Sequence, residues 1–185
     1  QLQFSKLTPT VVINSSAAKD SSRLWPMDKV RACMLQLATE DCVQVLMHCG
    51  PGERESANRL AREINHPGIG SMGVVNQLPI GLSRGVLARA EVVVSTDSGA
   101  RHMAVALDRP VVSLFGPTDP AWTQTYNQPE IILSTSAECR PCYRKKCPLV
   151  HHSCMRDLSV ARVVAAVRSQ LGSSTGSATP TQSAA

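Results

Sequence analysis

Residues 91–115 read EVVVSTDSGARHMAVALDRPVVSLF, and the fold is decided there. Glu91-Val92-Val93-Val94-Ser95 is a short β-branched run with no polar alternation, as expected of a strand covered on both faces. Asp97-Ser98-Gly99 makes a turn, a short helix runs through Leu107, and Val111 to Phe115 forms a second apolar strand. Strand, helix and strand with so little between them make a βαβ crossover, which is right-handed and joins parallel strands.

The same alternation continues on either side. Upstream, Val11-Val12-Ile13 reads as a strand leading into a Ser/Ala/Lys/Asp loop. A helix follows from Pro26 to about Thr39, with Val30, Cys33 or Met34, and Leu37 on one face. Val43 to His48 is the next strand, and Gly50-Pro51-Gly52 turns into a helix carrying Ala57, Leu60, Ala61 and Ile64, ended by Pro67-Gly68. Ile69 to Val75 is a weaker strand and Leu82 to Ala90 a short helix. Downstream, Ile131 to Leu133 adds an edge strand, and Val160, Val163, Val164, Val167 and Leu171 mark a closing amphipathic helix. The expectation is an α/β fold, a Rossmann-like doubly wound parallel sheet with helices on both faces. Residues 1–9 read as a linker remnant, 10–171 as one domain, and 172–185 (GSSTGSATPTQSAA) as a disordered tail.

Composition agrees with one lobe. The chain has 185 residues, 43% hydrophobic and 18% charged, which fits a single closed core and excludes global disorder. Two Trp, two Tyr and two Phe leave the core to aliphatic side chains. No apolar run approaches the ~18 residues needed to cross a bilayer and no signal peptide is evident, so a soluble, cytoplasmic chain is expected. It starts at Gln1 in a linker-like stretch, which suggests a piece of something longer. The formal charge of +5 suits a polyanion or a pocket for one diphosphate, and charge alone does not choose. Seven cysteines without a secretory signal argue against a disulfide scaffold, and Cys33, Cys42 and Cys49 lie in apolar stretches as core residues.

Ligands of open parallel sheets bind at the carboxyl ends of the strands, here the loops after Ile13, His48, Ser95 and Phe115. Thr96-Asp97-Ser98-Gly99 puts small residues at a helix start, where free N–H groups and the positive end of the helix dipole can hold a phosphate. Gly99 would let an anion approach the backbone, and His102, one turn in, can add a donor. The plainer alternative is that Asp97, Ser98 or Thr96 caps the helix and His102 packs on the sheet. Gly116-Pro117-Thr118-Asp119-Pro120 is a rigid turn whose Thr118 and Asp119 can reach the same crevice, or a turn and nothing more. The loop with Ser15, Ser16, Lys19 and Arg23 offers hydroxyls and cations, or solvated charges. Glu53 could bond a ribose or merely oppose a helix dipole, and Leu78 could touch a base or sit in the core.

Trp25-Pro26 after the Lys/Arg loop, the run from Val94 to Leu107, Arg109-Pro110 and Leu114-Phe115-Gly116-Pro117-Thr118-Asp119-Pro120 together closely resemble glycosyltransferase family 9, and within it the ADP-heptose:lipopolysaccharide heptosyltransferases. The resemblance covers about residues 10–170. It implies the carboxyl-terminal, nucleotide-sugar-binding half of a GT-B enzyme. It further implies that Ser98, Gly99 and His102 meet the diphosphate, that Asp97 approaches the donor sugar and that Thr118 joins the donor site. Arg23 takes the place of a phosphate-contacting cation that is usually Lys, and Glu53 that of a ribose-binding acid. Ser15 and Lys19 would line the phosphate loop. The general base and the acceptor site would lie in an amino-terminal domain, so no catalytic residue is assigned in this chain and no metal or cofactor is required. The partners implied are a nucleotide-sugar donor and a lipid-linked saccharide acceptor, which would bring the whole enzyme to the inner face of the cytoplasmic membrane.

Cys139-x2-Cys142-x4-Cys147-x6-Cys154, with His151 and His152 inside it, has enough ligands for structural zinc, but free thiols and disulfides stay open. Arg140, Arg144, Lys145 and Lys146 overlap it and suggest a rival, a zinc-stabilised nucleic-acid module. With Tyr143 alone for stacking, that rival is poorly equipped and no nucleic-acid partner is expected. A second alternative is a GT-B sugar-nucleotide epimerase.

Overall fold

Valine-rich strands that are buried on both faces set the architecture. In the computed structural model, which describes residues 8–15, 21–125 and 129–174, six strands form one parallel sheet. They are β1 (Thr10–Asn14), β2 (Gln44–Met47), β3 (Ile69–Ser71), β4 (Val92–Thr96), β5 (Val111–Phe115) and β6 (Glu130–Ser134), in the order β3-β2-β1-β4-β5-β6. β4 and β5 are buried at every position, while the edge strand β6 is largely half-exposed. The order reverses between β1 and β4, the topological switch point at which such sheets open a ligand crevice. Asn14 and Thr96 end the two strands there.

The helices are α1 (Met27–Glu40), α2 (Arg54–Ile64), α3 (Ile80–Leu87), α4 (Gly99–Ala106), α5 (Ser153–Arg156) and α6 (Val160–Ser174). α1 packs on α2 and α6, and α3 on α4, two groups that right-handed crossovers put on opposite faces of the sheet. The predicted stripe of α1 is the observed one, with Val30, Cys33, Met34 and Leu37 buried.

Several boundaries differ from expectation, each for a local reason. α2 stops at Asn65, which takes the left-handed conformation (φ 51°) that short polar side chains tolerate, so Pro67-Gly68 is not what ends it. β3 is short because the Ser71 hydroxyl accepts the Gly73 N–H at 2.9 Å and starts a 3-10 turn over Met72–Val74. That turn lies so close to α2 that a Cβ on Gly73 would stand 2.2 Å from the Arg54 carbonyl oxygen. α6 runs to Ser174, three residues beyond its expected end, so Gly172 does not break it. α5 is a single turn, too short to leave a periodic trace. Cys33 and Cys49 are buried, but Cys42 is exposed at the left-handed residue (φ 53°) that leads away from α1.

The core is aliphatic except for Trp25 and Phe115, both fully enclosed. Trp25 Nε1 donates to the Leu158 carbonyl at 3.1 Å, which satisfies its one polar group. A buried ion pair ties α4 to the far side of the sheet: Arg101 donates from Nε and Nη2 to the two Glu130 carboxylate oxygens at 2.7 and 3.0 Å. Its Nη1 donates to the Thr123 carbonyl at 2.8 Å, and its guanidinium lies 4.9 Å from the centre of the Phe115 ring. Burial alone would raise the Glu130 carboxyl, but hydrogen bonds from Arg101, Ser113 and Thr125 outweigh it and hold that group below its usual value.

Candidate functional site

The chain leaves β4 at Thr96, passes Asp97, and enters α4 through Ser98, an extended residue (φ −152°, ψ 171°). No side chain caps this helix, and its first turn holds no acidic residue. The Ser98 hydroxyl faces away from the helix amides because Asn14 Nδ2 donates to it at 2.9 Å and Ser95 Oγ stands 3.2 Å away. The amides of the first turn and the positive end of the α4 dipole are thus directed out of the sheet at the switch point. Nothing lies within 4 Å of where a Cβ on Gly99 would stand.

Two grooves meet at Ser98 and Gly99. One, of about 390 Å³, is walled by the polar side chains of Arg23, Asp97, His102, Thr118 and Asp119, with the Trp122 and Tyr143 rings at its side. Asp97 is only 6% exposed there, and a bare carboxylate so placed would repel an anion. It is instead neutralised by its partners: the Thr118 hydroxyl donates to Oδ2 at 2.9 Å, and Arg23 Nη1 lies 3.3 Å from the same oxygen while donating to the Asp97 carbonyl at 3.1 Å. The pair sits close to the helix start without presenting net negative charge.

The second groove, of about 330 Å³, is more apolar, with Leu78, Ile80 and Met103 facing Gly50 and His48. His48 Nδ1 is 3.0 Å from Asn14 Oδ1. Because Asn14 uses its amide nitrogen as the donor to Ser98 and Ser95, its oxygen is the acceptor, so His48 carries its proton on Nδ1. Burial lowers the His48 pKa, opposed in part by the Glu53 carboxylate, and its Nε2 is enclosed with no hydrogen-bond partner among the described residues.

The structure therefore brings Arg23, Asp97, Ser98, Gly99, His102 and Thr118 together around one point. Ser98, not Asp97, stands at the cap position. Ser15, expected at the phosphates, is turned inward: its hydroxyl accepts from Trp25 N at 3.1 Å and lies 3.2 Å from Trp25 O, and it lines neither groove. Glu53, expected at a ribose, accepts from the Gly50 N–H at 3.1 Å while its own N–H donates to the Gly50 carbonyl at 3.1 Å, so it closes the turn into α2 beside the apolar groove rather than lining it. Lys19 and Ser16 lie outside the described residues. Leu78 does line the apolar groove. Sequence reasoning missed Asn14 and His48, whose only trace is that each sits at the carboxyl end of a strand. It also missed Trp122 and Tyr143 as groove residues, because no spacing rule joins two separate loops.

The cysteine segment packs behind the polar groove. Cys139, Cys142, Cys147 and Cys154 line a small cavity of about 20 Å³ together with His151 and His152, and all four are free thiols. Burial first, and then the other three sulfurs, push the Cys154 thiol up to about 11. Among the described residues no group of three or more His, Cys, Asp or Glu side chains is placed to hold a metal ion. His152 Nε2 lies 2.6 Å from the Ser22 carbonyl oxygen. Arg140 donates to the Gly116 and Thr135 carbonyls at 2.7 and 2.8 Å, so it works inside the loop and not as part of an open basic face. No described helix is long and apolar enough to cross a membrane.

Lipopolysaccharide heptosyltransferase 1 of Pseudomonas aeruginosa is 40% identical over 95 residues, which are 51% of this chain and 25% of that protein. Among solved structures, Escherichia coli ADP-heptose lipopolysaccharide heptosyltransferase II superposes with a TM-score of 0.78 at 19% identity, covering 94% of this chain and 49% of that one. An E. coli heptosyltransferase solved with ADP gives 0.67 at 23% identity, covering 89% and 45%. The chain thus spans a quarter of the first relative and about half of each solved one. The model of glycosyltransferase family 9 (heptosyltransferase) matches residues 1–152, and the chain belongs to that family.

Proposed function

We propose that this chain is the donor-binding lobe of an inverting heptosyltransferase that takes ADP-heptose as donor and a lipopolysaccharide core saccharide as acceptor. One observation carries the reading: an apolar and a polar groove meet at the uncapped start of α4, on the switch point of the sheet. A nucleotide sugar has the same three-part chemistry. Its base belongs against Leu78, Ile80 and Met103, its diphosphate on the Ser98–Ala100 amides, and its sugar beside Asp97, His102 and Thr118. The relative solved with ADP supports adenine as the base, and family membership favours transfer over epimerisation.

The acceptor hydroxyl attacks the anomeric carbon from the face opposite the diphosphate. The bond to the diphosphate oxygen breaks and the configuration inverts. Negative charge grows on the departing oxygen, where the α4 dipole, His102 and Arg23 stabilise it in place, with little reorganisation because β4 and β5 hold the loop. Arg23 would move its fork partly from Asp97 to phosphate, a bidentate contact that a Lys could not reproduce. The acceptor and the base that takes its proton come from outside this lobe, so the chain binds donor and does not transfer sugar unaided. A lipid-linked acceptor would hold the complete enzyme at the inner face of the cytoplasmic membrane.

Calorimetric titration tests this reading. The wild-type chain should bind ADP more tightly than UDP or GDP, and His102→Ala should weaken ADP by about 2- to 30-fold, the worth of one charge contact at a helix start. Equal and negligible heats for all three nucleotides would overturn the donor-lobe reading, and turnover of donor and acceptor by this chain alone would overturn the division of labour.

A further inference from the structure

Resting on the donor-lobe reading, we infer that Trp122 and Tyr143 form a stacking platform for the donor's sugar ring. Of the aromatic residues described, Trp25 and Phe115 are sealed in the core, whereas Trp122 is 76% exposed and Tyr143 43%. The two exposed rings come from separate loops and lie on each other, centroids 4.7 Å apart and tilted by 31°, on the wall of the groove that holds Asp97 and His102.

Both rings are fixed from behind. Trp122 belongs to a 3-10 turn (Pro120–Thr123) capped by the Asp119 carboxylate, which accepts the Ala121 N–H at 2.9 Å. The same turn is anchored through the Thr123 carbonyl to buried Arg101 at 2.8 Å. Tyr143 has a left-handed backbone (φ 54°), and its N–H donates to the Pro117 carbonyl at 2.9 Å, an oxygen that also accepts from Cys142 at 3.0 Å. The cysteine loop, which the transfer chemistry leaves without a task, thereby gains one: it holds Tyr143 against Trp122.

A pyranose ring matches such a wall. One of its faces is a patch of weakly positive C–H groups that settles on the negative face of an aromatic ring. Its hydroxyl rim then points at the polar side chains beside that ring, here His102 and Asp119. A diphosphate has no apolar face to offer, and the base has its own groove across Ser98 and Gly99. The platform therefore distinguishes a sugar-bearing nucleotide from the bare nucleotide.

Titration of the chain with ADP and with ADP-heptose separates the possibilities. Trp122→Ala should weaken ADP-heptose about tenfold and leave ADP within about twofold, with Tyr143→Ala causing a smaller loss of the same kind. Trp122→Phe should restore most of the lost affinity. Since Trp122 packs mainly against Tyr143 at the surface, its removal leaves the fold intact, which an unchanged melting temperature verifies. Equal weakening of ADP and ADP-heptose would mean that the rings stack on the base, and unchanged affinity for both would mean that they touch neither; each overturns the platform. A wild-type chain that binds neither ligand would overturn the donor-lobe reading itself, and the platform with it.

Discussion

Arg101→Leu lowers stability by about 3–5 kcal/mol at neutral pH, because the Glu130 carboxylate is left buried without its counter-charge. For a chain of this size that is a fall of about 6–20 °C in melting temperature, read by scanning calorimetry. Arg101 has no exposed surface and the Glu130 side chain only 6%, so water cannot replace the lost contacts. The guanidinium reaches Glu130, Ser113 and Thr123 from one planar fork. Arg101→Lys keeps the charge but not the fork and recovers only part of the loss.

The same pair makes the effect depend on pH. The Glu130 pKa lies below its ordinary value of 4.5 in the folded chain, so its stabilising contribution is complete above that pH and disappears as pH falls through the lower folded value. Stability curves of wild type and Arg101→Leu therefore converge on acidification, once protonation removes the charge that the variant cannot pair. A difference that stays constant from pH 7 to below 4 would mean that lost packing, not the ion pair, causes the destabilisation.

Gly99→Val separates ligand chemistry from folding more sharply. No described glycine has a positive φ, and a Cβ on Gly99 would meet nothing within 4 Å, so neither backbone conformation nor packing demands glycine there. Valine is moreover a better helix residue than glycine. The variant should melt within about 2 °C of wild type, yet lose about 100-fold or more in affinity for ADP, because its side chain would fill the place where the donor-lobe reading puts the phosphate oxygens against the amides. Gly73 is the contrast: its missing Cβ answers to the Arg54 carbonyl, so Gly73→Ala harms the fold and has no direct route to the ligand.

These contrasts show what a sequence can and cannot reveal. The βαβ unit around Val92–Phe115 was legible because doubly buried parallel strands are continuous runs of valine and leucine, and the order of elements follows once that unit is recognised. The helix start at Ser98-Gly99, with His102 one turn on, was legible because its parts are neighbours in the chain. What depends on contacts between distant segments was not. Ser15 is drawn to the Trp25 backbone by a loop whose path no local pattern dictates. Asn14 and His48 form one network with Ser98 from three separate strand ends. Arg101 looks like a surface residue of a short helix, and only the position of Glu130 on β6 shows why it is buried. The Trp122–Tyr143 pair joins a turn after β5 to the cysteine loop, a meeting that no spacing encodes.

The central claim is that the first amides of α4 are the cradle for pyrophosphate oxygens, and backbone NMR tests it directly. On adding ADP to isotopically labelled chain, the amide resonances of Ser98, Gly99 and Ala100 should show the largest shifts, with smaller ones at Arg23 and His102. Tight ADP binding that leaves those three amides unmoved would contradict the account, wherever else the shifts appeared.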